Sequence, residues 1–558
     1  MQKLTTSIPQ NTPIKSRTVQ ASPFFSLALP RVLSHSRMYA LSFVLATSPL
    51  LAPICLPTYA QAETSNGKTE TYNDTFTDLS SNIQVYHLFA GNVGDATNYG
   101  DRSDASSATA NNNTFFVKEG AAMSAEAAST STKYEMNGAA AHIALYGDVT
   151  AVTANGNASS ISGGYIANLY GAYIGINALV FNDYVKTTLS TLTANDNSIV
   201  MEEGTVGQGL QNQDSGLVLY NVGKSLAAVH VVSYNTNDDA TFYLNNNSVY
   251  ISGGTVVSTI GSDAKEGALT GAYLSTVLGE ATMSNNSVTI TGGDVQAKRI
   301  AGATFYTCSL ENIETNFPST SSHDLSDVSD QWSFDQHDTS VTMFNNSVTI
   351  SSADGVFNSF LIAGAYANVS NTAEMYNNTV YISAGSFTST NNSEPIVITG
   401  AYLKPIQPFS IDIEANDGAG GYIIEGTVSM KAYGNSVTVT GGIIEGLVSG
   451  ATIYVEYSGQ STTYINSLLE YEGTISNNTV TVYGGEITSD DYGDSGIYGG
   501  LYQGVNAEGS TSIYGDKTWS IINTYSITDN TVNIGFDASL GNTIVLLVVL
   551  IITNQAPM

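Results

Sequence analysis

One phrase returns along this chain so often that it dictates the kind of fold available. Asn246-Asn247-Ser248-Val249-Tyr250-Ile251-Ser252-Gly253-Gly254 reappears as Asn285-Asn286-Ser287-Val288-Thr289-Ile290-Thr291-Gly292-Gly293, and its core reappears from Asn345, Asn377, Gly434 and Asn477. Weaker copies start at Asn113, Asn157, Asn197 and Asn530. A second phrase follows at variable distance, as Gly171-Ala172-Tyr173, Gly271-Ala272-Tyr273, Gly364-Ala365-Tyr366 and Gly400-Ala401-Tyr402, with relatives at Gly302-Ala303 and Gly450-Ala451. The Asn before Ser or Thr recurs after 39 residues (Asn247 to Asn286), 43 (Asn435 to Asn478) or 40 (Asn157 to Asn197), and after 60 and 57 where Asn286 leads to Asn346 and Asn378 to Asn435. Periods near forty belong to solenoids, propellers or arrays, whose units bury their apolar faces only against their neighbours.

The chemistry of the phrase selects among these. Val249 and Ile251, or Val288 and Ile290, alternate with Tyr or Thr, which is the period of a half-buried strand. Asn-Asn before the strand and the glycines after it (Gly253, Gly292) are turn formers: Asn tolerates the left-handed backbone region, and Gly reaches positive φ without a Cβ clash. Short strands fenced by corners, with no helical period between them, predict a coil whose turns stack and whose Asn side chains ladder between rungs, through Asn247, Asn286, Asn378, Asn435 and Asn478. A propeller of this period carries four strands per unit and Trp-Asp or Gly-His signatures, which are missing here. The expected fold is therefore all-β, a repetitive parallel β-helix, ahead of a propeller or a sandwich array. At roughly 20 residues per rung, residues 108–540 would form on the order of twenty rungs and a rod about 100 Å long.

Charge divides the chain sharply. Of 558 residues, 17 are Lys or Arg and 48 are Asp or Glu, yet residues 1–62 hold five of the basic residues and no acidic one. The remainder carries 12 basic against 48 acidic residues, a net −36. Nucleic acid is excluded as a partner, because neutralising phosphates takes clustered Lys and Arg. The basic leader, the apolar run over 39–52 and the small-x-small triplet Ala60-Gln61-Ala62 predict a signal peptide over 1–62, cut between Ala62 and Glu63. The run is too short to span a bilayer as a helix, which takes roughly 20 apolar residues. Cys55 and Cys308 are the only cysteines, so disulfides do not hold the fold.

These features together resemble the passenger region of bacterial autotransporters, the type V secreted surface proteins. The residues that carry the resemblance are the Ala-x-Ala cut, the near-absence of Cys, the acidic Asn/Gly/Ser/Thr-rich body and the Asn-Asn-[Ser/Thr]-Val-x-Ile-x-Gly-Gly repeats. It covers roughly residues 63–540 and implies a right-handed parallel β-helix exported through the inner membrane. It implies a place at the cell surface, the outer membrane or outside the cell, where host glycans, host proteins or further copies of the chain are the partners. The family's terminal membrane β-barrel is missing, so membrane contact would need a separate translocator, and without one the product would stay periplasmic. The expected domains are the signal peptide at 1–62, a leading cap at 63–107, the repeat region at 108–540 and a short hydrophobic tail at 541–558. That tail, with nine apolar residues from Ile544 to Ile552, reads as a truncated or frame-shifted end.

Catalytic chemistry has little to build on. A polysaccharide lyase or hydrolase on a β-helix is the alternative function; it needs grouped carboxylates, often with Arg or Lys beside them, and 12 basic residues make that hard to assemble. The insert between Asn286 and Asn346 holds the one dense cluster, His323-Asp324 and His337-Asp338 with Asp327, Asp330, Asp335 and Trp332. Its His-Asp pairs have metal-ligand chemistry but no fixed ligand spacing, and a solvated acidic loop is the simpler reading. Asp490, Asp491 and Asp494 supply oxygens for calcium without the Gly-Gly-x-Gly-x-Asp repeat of a calcium β-roll. No Gly-x-Ser-x-Gly elbow accompanies a suitable His and Asp. His87, His142 and His230 sit in strand-like apolar settings as packing or rung-face residues. The expectation is a non-catalytic structural or adhesive rod with no cofactor and no obligate small-molecule ligand.

Overall fold

The computed structural model describes residues 69–84, 87–94, 103–124, 137–176, 179–180, 183–184, 188–207, 225–235, 237–257, 268–307, 339–389, 395–405, 425–455, 467–488, 496–511, 517–540 and 545–555. These residues contain strands and turns and no helix, so no helix among them is long and apolar enough to cross a membrane. Almost every strand pairs in parallel with the strand of the next module; among the described residues antiparallel pairing is confined to 507–511 with 517–521 and to 179–180 with 183–184. The fold is a parallel β-helix.

One rung crosses three sheets. In the rung of the first full phrase, Thr241–Asn245 lies in a first sheet, Ser248–Ile251 and Thr255–Val257 lie in a second, and Ala268–Thr276 lies in a third. Each strand pairs with its counterpart one module later: Val249 with Val288, Val288 with Val348, and Val348 with Val380. A module of about forty residues is therefore one whole rung. This corrects the expected twenty residues per rung, because a module crosses three sheets and turns three corners. Among the described residues the stack has eleven rungs, about 50 Å at the strand spacing of about 4.8 Å. It also runs further at each end than the repeat phrase does. Thr69–Thr71, Phe76–Leu79 and His87–Val93 form a rung ahead of residue 108, and the apolar run near the end is the strand Val545–Gln555, paired with 496–506.

The corner between the first and second sheets has constant length. Its first residue takes a left-handed φ of 55–60° at Asp74, Asn112, Asp196, Asn246, Asn285, Asn345, Asn377, Asn477 and Asp529, and Gly156 and Gly434 fill the same place. Asn and Asp reach that region more readily than other side chains because they bond their own backbone. Length varies instead between the third sheet and the next first sheet. Two residues make that link after Thr276 and after Val369, whereas 31 separate Thr307 from Thr339. The uneven spacing of the repeat comes chiefly from this corner and from the link between the second and third sheets.

The interior has two apolar compartments. Phe242, Leu244, Ala272 and Leu274 fill one, while Val249, Ile251, Val256 and Leu269 fill the other, and equivalent residues continue both along the stack. Between them the rung is pinched. A Cβ built on Gly271 would lie 2.7 Å from Ser287 N and 2.9 Å from Asn247 O, and one on Gly364 would lie 2.6 Å from Thr379 N. Only Gly lets the third sheet approach the Asn corner this closely, so the two repeated phrases meet across the interior.

Candidate interaction surface

At the waist runs a continuous column of buried amides: Asn113, Asn157, Asn197, Asn247, Asn286, Asn346, Asn378, Asn435, Asn478 and Asn530. Each amide Nδ2 donates to the Oδ1 of the next Asn, as from Asn247 to Asn286 at 2.9 Å and from Asn378 to Asn435 at 3.0 Å. Its second proton goes to a backbone carbonyl one rung back, as from Asn286 to Leu244 O at 2.8 Å, and the backbone N of Asn247 also donates to Asn286 Oδ1 at 3.0 Å. Two donors and two acceptor sites are thus satisfied with no water, the condition for burying an amide at little cost. Thr75 closes the leading end, its backbone N donating to Asn113 Oδ1 at 3.0 Å and its hydroxyl at 2.5 Å. The column is structural, and it holds the outer faces in register.

Those faces differ in chemistry. On the second sheet, five consecutive rungs point outward Ser248, Tyr250 and Ser252; Ser287, Thr289 and Thr291; Ser347, Thr349 and Ser351; Thr379, Tyr381 and Ser383; and Ser436, Thr438 and Thr440. None is charged. Matched backbone positions lie about 4.8 Å apart along the stack, and successive outward positions about 6.6 Å apart along each strand. On the first sheet, Asn111, Asn155, Asn195 and Asn245 form a second column in which each backbone N donates to the preceding side chain, at 2.8 Å. Further on, the same register position holds Phe344, Tyr376 and Tyr433, stacked at 5.0 and 5.1 Å. Tyr433 donates to Glu374 Oε1 at 2.7 Å, and burial together with this carboxylate pushes its pKa up to about 12.

The third sheet carries an aromatic column. Asn92, His142, Tyr173, His230, Tyr273, Thr304, Tyr366 and Tyr402 share one register position. His142 and Tyr173 stack at 5.7 Å, Tyr173 and His230 at 5.3 Å, and His230 and Tyr273 at 4.3 Å. Where Thr304 interrupts the rings, Tyr306 and Arg299 fill in; the guanidinium carbon lies 3.8 Å from the Tyr366 ring centre and 5.1 Å from that of Tyr306. His142 is buried, makes a 2.7 Å hydrogen bond through Nδ1 to Asn92 Oδ1, and has its pKa pulled down to about 3 by burial and then by His87. The imidazole is therefore neutral at ordinary pH. The column has a trace in the sequence, since His142 and His230 stand where the second phrase elsewhere has Tyr. Its continuity depends on a register that sequence spacing does not reveal.

Of the residues singled out by sequence, Asn247, Asn286, Asn378, Asn435 and Asn478 sit in the buried amide column, and Val249, Ile251, Val288 and Ile290 line one compartment. Gly253 and Gly292 approach the backbone of the preceding rung, where an added Cβ would lie 2.3 Å from Glu202 O and 2.2 Å from Ser252 O. Ala60, Ala62, Glu63, His323, Asp324, His337, Asp338 and the acidic turn with Asp490, Asp491 and Asp494 lie outside the described residues. Among the described residues no three His, Cys, Asp or Glu side chains gather as metal ligands, and no Asp or Glu is registered opposite another in the next rung. Glu374, for instance, lies between Thr342 and Lys431, and Glu472 between Ser429 and Thr524. Like charges therefore do not stand directly opposite one another across these rungs. No family model, curated protein or solved structure matches the chain.

Proposed function

We propose that the chain is an exported, non-catalytic β-helical scaffold that works by contact at a cell surface, as its resemblance to autotransporter passengers implies. The observation that carries this reading is the outward face of the second sheet, where five rungs repeat three uncharged hydroxyl or tyrosine positions. A surface of that kind offers many weak, identical contacts, which suits adhesion to a repetitive partner and gains strength by multivalency.

Beads coated with the full chain test the reading. The expected result is clustering of cells or of the beads themselves, with no release of reducing or unsaturated sugar ends from polysaccharides. Sugar-end release without clustering would replace the scaffold with an enzyme.

A further inference from the structure

We propose that Tyr250 and Tyr381 form a two-point platform that binds an uncharged linear glycan lying along the stacking axis. This rests on the contact reading above and names its partner. Tyr250 and Tyr381 occupy one register column on the second sheet and are 40% and 41% exposed. Both are tethered in the same way, Tyr250 Oη to Thr291 Oγ1 at 3.2 Å and Tyr381 Oη to Thr440 Oγ1 at 3.3 Å. In each pair the threonine belongs to the next rung, so the phenol reaches along the sheet instead of out into solvent. Each ring is held against the surface before any ligand arrives, which lowers the ordering cost of binding.

Three rung steps separate the two tyrosines, about 14 Å at the strand spacing. Thr289 and Thr349 stand between them in the same column. A hydroxyl both donates and accepts, so this strip matches a partner whose own groups do both, and a sugar polymer is such a partner. The tyrosine rings suit the apolar C–H faces of pyranose rings. A folded protein partner fits less well, since its affinity would come from a compact, desolvated apolar centre and two separated rings do not make one. Anionic glycans are disfavoured by the chain's net charge, while the strip itself carries no charge for a partner to match.

The test is binding of the full chain to arrayed neutral oligosaccharides, from disaccharide to octasaccharide in the β-glucan, xylan and chitin series, with heparin and alginate as anionic probes. Affinity for one neutral series should rise with length until both tyrosines are spanned. Tyr250→Ala and Tyr381→Ala should each weaken it by about tenfold, and the double variant should lose the length dependence. Thr291→Val with Thr440→Val, which frees the rings but keeps them, should fall between wild type and the double variant. Unchanged binding by a folded double variant, preference for the anionic probes, or no binding to any neutral series would overturn the platform. Any of those results with clustering intact would leave the scaffold reading standing and remove only this site.

Discussion

Asn286 donates its side-chain amide to Oδ1 of Asn346 at 2.9 Å, although 60 residues separate them along the chain. The same bond joins Asn346 to Asn378 across only 32 residues. The ladder is thus indifferent to what each module inserts and strict about what stands at its corner. Asn286→Ala removes the acceptor of two Asn247 donors and two donated bonds, one to Asn346 Oδ1 and one to Leu244 O. At about 1–3 kcal/mol per orphaned buried group, the loss should reach several kcal/mol. Asn286→Asp should be worse, because it adds a buried charge facing another oxygen. Urea unfolding of both variants checks the order.

Gly364 tests the waist. A methyl there would meet Gly400 O and Thr379 N, both at 2.6 Å and both backbone, so no side chain can yield. Gly364→Ala should cost at least the about 1–3 kcal/mol typical of overpacking, whereas Ser383→Ala on the outer face should fall within about 0.5 kcal/mol. Equal midpoints for the two variants would contradict the close approach of the two phrases.

Protonation of His142 should make stability fall with pH. Its folded pKa of about 3 lies below the ordinary imidazole value near 6.5, so between those limits the unfolded chain binds a proton that the folded chain refuses. The contribution is intact above about pH 6.5 and shrinks as pH falls toward 3, by about 3 kcal/mol at pH 4 as an upper figure. His142→Phe, which keeps a ring in the column, should lose less stability than wild type between pH 7 and pH 4. Parallel losses would show that His142 is exposed to protons.

The long insert should be dispensable for folding. Deleting residues 309–337 leaves Cys308 and Asp338 as the kind of two-residue link found after Thr276 and Val369. Loop-closure entropy changes slowly with length, so the unfolding midpoint should move by less than about 2 kcal/mol equivalent. Loss of cooperative unfolding would mean that the insert holds the ladder together.

The second-sheet strand and its corner were legible because Val288 and Ile290 alternate with Thr and sit between residue types with one conformational use. The rung length was not. Thr241–Asn245, Gly279–Ser284 and Thr372–Tyr376 share alternation, but only scattered letters repeat at matched positions, such as Met283, Met343 and Met375, so the first sheet leaves no phrase to count. The second phrase also hides its strand. Leu269 faces one compartment, Ala272 the other, and Gly271 between them breaks the two-residue period. The outward-facing hydroxyls of Thr289 and Thr349 were visible as letters, but becoming one surface depends on register between residues 60 apart.

The central claim is that one module makes one rung, since every column described above depends on it. In a chain with Cys55 and Cys308 replaced by Ser, nitroxide labels on Ser160→Cys and Thr438→Cys lie in one register column six rungs apart. Pulsed dipolar spectroscopy should give a single distance distribution centred at about 29 Å, six steps of about 4.8 Å. A distribution centred near about 58 Å, as two rungs per module would require, would contradict the account.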